Sequence, residues 1–174
     1  LARRHEGGSV TLSVDADVRA GQSRNVHAEV GPDTEEEILL TSHVDAHDIS
    51  EGAGDNAAGT ALVVEVTKAL ASREGDLDTR VHVICFGAEE VGLLGSNRDA
   101  SRRDLDSVRA VLNNDGAVRG RTLSLTTNGF DDLERPVQAV AERFEHPIET
   151  DPSLGTHSDH WPYVRRGVPG YHVK

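Results

Sequence analysis

Short continuous apolar runs recur along the chain, and such runs are typical of strands buried on both faces of a sheet. They occupy residues 38–41, 80–86 and 108–112, and residues 122–126 and 167–173 predict further short strands. Apolar residues at helical spacing predict helices over residues 56–71, 93–100 and 133–144. Strands alternating with helices predict the α/β class, with a mixed, mostly parallel central sheet and helices on both faces.

Two segments near the beginning alternate apolar and polar residues, which is typical of strands with one exposed face. They are residues 10–18 and 25–30, and the turn sequence Gly31-Pro32-Asp33 follows the second. We expect these two segments to pair as antiparallel neighbours at an edge of the sheet. At 174 residues, the chain has the length of one domain with a sizeable core.

Acidic residues and a histidine follow the buried strands, at the points where those strands end. Because ligands gather at the carboxyl ends of the strands in α/β sheets, we expect these side chains to meet at one edge. In chain order, the segments are Ser42-His43-Val44-Asp45, the glycine-rich loop 51–59 with Asp55, Gly87-Ala88-Glu89-Glu90 and Asn113-Asn114-Asp115.

A cluster of this kind needs a cation, because carboxylates buried without a partner are energetically costly. Histidine and carboxylates without cysteine suit zinc, with manganese or cobalt as substitutes. The field of two zinc ions is only partly offset by carboxylate ligands, and it can lower the pKa of a bound water to about 7. The residues therefore predict a metal centre.

The same segments, in the same order, resemble the co-catalytic zinc aminopeptidases, a family of metallo-exopeptidases that contains carboxypeptidase Q. Glutamate carboxypeptidase II and the glutaminyl cyclases are relatives. The resemblance runs from about residue 39 to the end, and an ordered series of motifs is more specific than any single one. The matching segments are His43-Val44-Asp45, Gly52-Ala53-Gly54-Asp55-Asn56, Glu89-Glu90-Val91-Gly92-Leu93-Leu94-Gly95-Ser96, Asn114-Asp115, Ser158-Asp159-His160-Trp161-Pro162-Tyr163 and Gly167-Val168-Pro169.

The resemblance implies a zinc-exopeptidase fold and a role for each clustered residue. His43 and Asp115 would ligate one zinc ion, Glu90 would ligate a second, and Asp55 would bridge the two. Asp45 would hold the imidazole ring of His43 in place.

The resemblance also makes Glu89 the general base of a peptide hydrolysis. Glu89 would take a proton from the water that bridges the metal ions as this water attacks the scissile carbonyl, and would pass it to the leaving amine. Asp159 and His160 would lie beside the site as hydrogen-bonding partners. The peptide bond between Asp55 and Asn56 would be cis.

One ligand of the family has no counterpart in the sequence. The family takes a fifth metal ligand from a histidine in a short segment after the Gly-Val-Pro strand, and the chain stops at Lys174 before such a segment. His172 lies in the strand itself, and we do not expect it to substitute. The expected unit is a single catalytic domain over residues 1–174, truncated at both ends, with the last ligand beyond Lys174.

An aminopeptidase, which acts at the free amino terminus of a peptide, is the leading hypothesis. A carboxypeptidase Q-like dipeptidase is the enzymatic alternative, because residues 43–49 are close to the motif of that enzyme. A site for a carboxylate end needs a cation, and Arg165 and Arg166 are candidates, although a solvated helix end explains them more simply.

Two other readings are weaker. The stretch from Arg165 to Pro169 is also shared with glutaminyl cyclases, but the filled ligand positions favour two metals and hydrolysis. A non-catalytic receptor-like or structural relative would lose its ligand residues first, whereas each ligand position that the chain reaches is filled and Glu89 is present.

Composition limits the partners. Asp and Glu number 30 against 18 Lys and Arg, for a net charge of −12, and such a field repels nucleic acid and anionic membranes. No apolar run approaches the ~18 residues of a membrane span. We therefore expect a peptide substrate, and neither nucleic acid nor membrane as a partner; the oligomeric state stays open.

The acidic balance, with Lys68 and Lys174 as the only lysines, has two explanations. A high-salt cytoplasm would screen the repulsion of an acidic surface, and a GC-rich genome would favour arginine over lysine. Cys85 stands alone in an apolar run, as a small buried side chain does. A single cysteine and the lack of a signal segment in this stretch favour a cytoplasmic location.

Overall fold

A mixed sheet of seven strands runs through the computed structural model, which describes residues 9, 11–17, 19–117 and 122–174. In chain order the strands are β1 (Val26–Val30), β2 (Glu37–His43), β3 (Arg80–Phe86), β4 (Val108–Asn114), β5 (Leu123–Thr126), β6 (Ile148–Asp151) and β7 (Gly170–Val173). The α-helices among these residues are α1 (Ala58–Ala71), α2 (Leu94–Ala100), α3 (Glu134–Phe144) and α4 (Trp161–Val164).

The sheet is mostly parallel, as the alternation of strands and helices predicts. Its strands lie in the order β1-β3-β2-β4-β7-β5-β6. β2 runs parallel to β3 and β4, β4 is parallel to β7, and β5 is parallel to β6. Only β1 with β3 and β5 with β7 pair in antiparallel fashion within the described residues. The carboxyl ends of β2, β3, β4 and β7 therefore meet at one edge.

Helices cover both faces of the sheet, which confirms the predicted fold class. Successive residues of a strand face opposite sides of a sheet. Leu39 packs in a buried cluster with Ala100 of α2 and Tyr163 of α4, whereas Leu40 packs with Val63 of α1. None of the helices in the described part of the chain is long and apolar enough to cross a membrane.

Most predicted elements form, with ends shifted by up to three residues. They are the strands predicted over residues 25–30, 38–41 and 167–173, and every helix and strand predicted between residues 56 and 144. β6 and α4 were not predicted. β6 has alternating half-buried and exposed residues without an apolar run, and α4 is a single turn of four residues. Elements this short carry too few residues to show a period.

The predicted strand over residues 10–18 is wrong for residues 11–17, which are exposed and form no strand. Val10 and Val18 lie outside the described residues. β1 is an edge strand, as expected, but its antiparallel neighbour is β3. Alternation gives a segment one apolar face; it does not supply a partner, and the paired β-ladder is what stabilises a strand.

A buried network of charges joins the amino ends of β2 and β3 to the end of α2. The side chain of Glu37 is 4% exposed, contacts the guanidinium of Arg103, and lies 3.2 Å from His82 Nδ1. Arg103 also donates two hydrogen bonds, of 2.8 and 3.0 Å, to the carboxylate of Asp99. Burial raises the pKa of Glu37, but His82 and Arg103 outweigh burial and lower the pKa to about 2.

We expect Glu37→Gln to lower the free energy of unfolding by about 3 kcal/mol at neutral pH, because it removes the buried carboxylate that contacts Arg103 and lies 3.2 Å from His82. The folded-state pKa of Glu37, about 2, lies below the reference value of 4.5. The stabilisation is therefore present above pH 4.5 and is lost as the pH falls toward 2. Urea unfolding at several pH values measures the difference between wild type and variant.

The neighbouring Glu36→Gln is the control for this series. Glu36 is 61% exposed, and its ion pair with Arg109, at 3.6 Å, lies at the surface. It should change stability by less than about 1 kcal/mol. A Glu37→Gln effect of equal size at pH 7 and pH 2.5 would show that the carboxylate charge is not what stabilises this end of the sheet.

Candidate metal centre

His43, Asp55 and Asp115 bring three potential ligand atoms within 4.8 Å of one another. His43 ends β2, and Asp115 follows the last residue of β4. These parallel strands pair Thr41 with Asn113, so His43 and Asp115 leave the sheet at the same level. Nε2 of His43 lies 3.2 Å from Asp55 Oδ1 and 3.4 Å from Asp115 Oδ1. Three of the predicted ligands therefore lie together.

Asp55 reaches this position from a turn that is tied to the end of β4. The next residue, Asn56, is buried and donates from Nδ2 to the Asn114 carbonyl at 2.8 Å. A Cβ at Gly59 would lie 2.1 Å from Asn56 Oδ1 and 2.6 Å from the same carbonyl, so α1 approaches β4 too closely for any other residue. The peptide bond between Asp55 and Asn56 is cis.

Asp45 supports the site in two ways. Its carbonyl oxygen lies 3.1 Å from Nδ1 of His43, whereas its carboxylate is 3.7 Å from that atom. The carboxylate instead accepts the backbone N–H groups of Glu89 and Glu90, at 3.0 and 3.1 Å. Asp45 thus has a second task besides its predicted contact with the His43 ring, which is to hold the segment that carries both glutamates.

Glu90 lies outside the three-residue cluster formed by the described ligands. Its Oε2 is 3.3 Å from Nε2 of His47, a side chain that is 70% exposed. Glu89 is 7% exposed. Because β3 pairs His43 with Phe86, the two glutamates follow β3 at the edge of the sheet where His43 ends β2.

Ser158 belongs to the motif at residues 158–163 and contacts the cluster directly, a contact that the motif alone does not predict. Its hydroxyl donates to Asp115 Oδ2 at 2.6 Å and accepts from Asn113 Nδ2 at 2.7 Å. Asn113 in turn accepts from the Thr41 hydroxyl at 2.8 Å. Ser158, Asn113 and Thr41 are fully buried, so this chain of hydrogen bonds fixes the Asp115 carboxylate.

Asp159 and His160 are both fully buried beside the cluster. Neither carboxylate oxygen of Asp159 has an aligned hydrogen bond with the described residues. Burial raises the pKa of Asp159 to about 7, against the opposing effect of the Ser96 hydroxyl, which itself donates to the Leu93 carbonyl. Both residues therefore lie near the cluster, and the predicted role of Asp159 as a hydrogen-bonding partner stays a prediction.

His160 stacks on His172, with ring centroids 4.9 Å apart and an interplanar angle of 30°. Nε2 of His172 lies 3.1 Å from the Asp115 carbonyl and 4.0 Å from its carboxylate. Burial, followed by the nearby His172, lowers the pKa of His160 to about 3. His172 thus lies beside the ligand Asp115, a position that the register of β7 against β4 creates and that spacing alone does not show.

The electrostatics of the cluster are those of crowded carboxylates around one imidazole. Burial lowers the pKa of His43, but Asp115, Glu89 and Asp159 outweigh burial and raise it to about 9. Burial raises the pKa of Asp115, but His43 and Ser158 lower it to about 2. Burial and the neighbouring carboxylates raise the pKa of Glu89 to about 8. The raised pKa values of His43 and Glu89 show that the site favours added positive charge, and the lowered pKa of Asp115 reflects its contacts with His43 and Ser158.

The residues present fit a zinc ion. His43 is 1% exposed, and its Nε2 faces two carboxylates without the alignment of a hydrogen bond to any described residue. One imidazole and two carboxylates are a donor set that zinc accepts. A cation would satisfy the buried nitrogen and offset the repulsion between Asp55 and Asp115 at the same time.

A cavity of about 240 Å³ opens beside the cluster. It is lined by Asp55, Asp115, Gly116, His157, His172 and Lys174. Arg165 and Arg166 do not line it. Arg165 donates to Asn97 Oδ1 and Arg166 donates to the Pro162 carbonyl, each at 2.5 Å.

Comparison with known proteins gives a consistent result. Residues 25–174 match the family described as Peptidase family M28. Aminopeptidase YwaD of Bacillus subtilis (strain 168) is 31% identical over 139 residues, which are 75% of this chain and 30% of that protein. The structure of a zinc aminopeptidase from Bacillus subtilis is 26% identical with a TM-score of 0.75, covering 86% of this chain and 39% of its own.

A glutaminyl cyclase from an Acidobacteriales bacterium is also similar in structure. It has a TM-score of 0.74 at 20% identity, over 85% of this chain and 57% of the cyclase. At that identity the likeness shows the fold alone. The chain spans under two thirds of the length of each of these proteins.

We expect Ser158→Ala to weaken zinc binding about 10- to 100-fold, because residues that hydrogen-bond a metal ligand fix its orientation. Competition with a chelator of known zinc affinity measures the change. Ser153→Ala is the matched control, since Ser153 also donates to a carboxylate, Asp151 Oδ2, at 2.6 Å but is exposed and far along the chain from the ligands. Equal zinc affinities in the two variants would contradict the role of Ser158.

Proposed function

This chain belongs to peptidase family M28, and we propose that it is the metal-binding core of a zinc-dependent aminopeptidase. The observation that carries the proposal is the cluster of His43, Asp55 and Asp115 at the carboxyl edge of the sheet, with buried Glu89 following the adjacent strand. The named similarity to aminopeptidases supports it. The proposal concerns the whole protein, of which the chain is the part that holds these residues.

The proposed centre holds two zinc ions. His43 and Asp115 would hold the first, Asp55 would be shared, and Glu90 would hold the second. The position of Glu90, whose backbone is fixed by the Asp45 carboxylate at 3.1 Å, supports this assignment. Manganese or cobalt could replace zinc with the same donors.

Bound zinc supplies two effects, since it polarises the scissile carbonyl and makes water a stronger acid. The residues of the chain supply the rest. Glu89 takes a proton from the attacking water and returns it to the leaving amine, as a carboxylate in a confined site does in general base catalysis. Asp45 keeps Glu89 in place through the 3.0 Å hydrogen bond to its backbone.

The similarity to proteins named aminopeptidases supports a substrate with a free amino terminus. The carboxypeptidase Q-like dipeptidase remains the alternative, but Arg165 and Arg166, which would hold a substrate carboxylate, are engaged elsewhere. A non-catalytic relative is disfavoured because His43, Asp55 and Asp115 form an intact cluster.

We expect about two zinc ions per chain in the intact protein and release of amino acids from aminoacyl anilides. Glu89→Gln should lower kcat by about 100-fold or more while zinc content is unchanged, because it removes the proton acceptor and keeps the ligands. Metal analysis and assays on an aminoacyl-anilide panel and a dipeptide panel measure both. Glu142→Gln, on the exposed side of α3, is the control.

The outcomes separate the candidates. Turnover of dipeptides alone would favour the dipeptidase. Zinc binding without any turnover would favour a binding or structural role. Absence of both zinc and turnover would contradict the proposed catalytic function. Full activity in Glu89→Gln would remove Glu89 from the mechanism.

A further inference from the structure

A groove lies between residues 23–27 and α2, next to the segment that carries the two active-site glutamates. It consists of adjoining cavities of about 450 and 360 Å³, which share Asn25, His27 and Arg98 as lining residues. Gly87 and Ala88, which directly precede Glu89, line the larger cavity. The groove is outside the metal centre, and none of the three clustered ligands lines it.

Arginine dominates the lining of this groove. Arg24 and Arg98 line the larger cavity, and Arg98, Arg102 and Arg103 line the smaller one. Arg103 is neutralised by Asp99 and Glu37. Arg24, Arg98 and Arg102 are exposed and form no ion pair with any described residue.

The lining offers no carboxylate that could neutralise these arginines. Asp99 is the sole acidic lining residue among those described. Its oxygens already accept from Arg103, at 2.8 and 3.0 Å, and from the Tyr163 hydroxyl at 2.6 Å. Burial lowers the pKa of His27, so the positive charge of the groove at neutral pH comes from arginine alone.

Arg24, Arg98 and Arg102, which have no ion-pair partner among the described residues, lie in one groove of a chain whose net charge is −12. The carboxyl end of α2 favours cations nearby, which accounts for Arg98 and Arg102 in part. It does not account for Arg24, which comes from a separate segment before β1 and lines the same cavity as Arg98. A bound anion would balance all three charges.

The walls of the groove are fixed by close contacts. Asn25 donates from Nδ2 to the Gly95 carbonyl at 3.0 Å and accepts from the Gly87 N–H at 3.2 Å. A Cβ at Gly87 would lie 2.2 Å from Ser23 Oγ, and a Cβ at Gly95 would lie 2.4 Å from Asn25 Oδ1. The strand end, the segment 23–25 and α2 are thus held against one another, and the groove is formed before a ligand arrives.

We propose that this groove binds a small oxyanion, a phosphate or carboxylate group, with Arg98 at its centre and Arg24 and Arg102 on either side. Guanidinium groups bind both kinds of oxyanion through paired N–H donors. The cavity volumes are in the range of small-molecule sites. The site is independent of the proposed peptidase function, since none of its contacts uses the metal ligands.

Calorimetric titration of the intact protein with inorganic phosphate, and separately with succinate, at low ionic strength tests the proposal. We expect saturable binding of one anion per chain by at least one of the two, and the tighter one identifies the preferred group. Arg98→Gln should weaken binding about tenfold or more, the loss expected for a charged hydrogen bond. Arg102→Gln and Arg24→Gln should weaken it as well.

Arg135→Gln is the control, because Arg135 is an exposed arginine on α3 without an ion pair to the described residues. It should leave anion affinity within about twofold of wild type. Since all four arginines are exposed, thermal unfolding is expected to be the same for every variant. Amide NMR shifts of Asn25, Gly87 and Gly95 should move with the titration and report the location.

Three results would overturn the inference. The first is no saturable binding of either anion. The second is unchanged affinity in Arg98→Gln, which would place the anion at the metal centre or elsewhere. The third is an equal loss in Arg135→Gln, which would reduce the effect to overall charge. Each result is read without an activity assay, so failure of the proposed catalytic function would not imitate any of them.

Discussion

Repulsion among carboxylates at the carboxyl edge of the sheet is the constraint on which the functional part of this structure depends. Asp55 and Asp115 face the same imidazole nitrogen within 3.4 Å, and the buried Glu89 and Asp159 add to the field that acts on His43. Charges of one sign cannot be brought together out of water without compensation. A bound cation is the simplest compensation, and the buried, poorly hydrogen-bonded Nε2 of His43 is a ready ligand for it.

The opposite edge of the same sheet shows how this chain treats buried charge when no ligand is involved. Glu37 is buried at the beginning of β2, yet Arg103, Arg80 and His82 surround it. The carboxyl edge has no comparable arginine or lysine against its buried carboxylates in the described residues; Lys174 is exposed at the rim. The contrast argues that the deficit of positive charge at the carboxyl edge is specific to that site.

The sequence predicts the features that depend on local pattern. It does not predict the features that depend on which strands pair and in which register. Apolar runs gave the strands, and the acidic residues after them gave the cluster, because parallel strand ends must share an edge. The roles of Ser158 and His172 depend on the register of β4, β7 and the segment before α4, which spacing does not reveal. The predicted strand is wrong over residues 11–17 for the same reason, since alternation specifies a face and leaves the partner unspecified.

Net charge is a poor guide to a site of a few ångströms. The balance of −12 governs the long-range approach of large polyanions, and salt screens this field within about 8–10 Å. Inside that distance, a ligand responds to the groups that line its cavity. The groove around Arg98 is therefore compatible with the expectation, drawn from net charge, that nucleic acid is not a partner, because a single oxyanion contacts only the arginines, whereas a long polyanion would also meet the acidic surface around them.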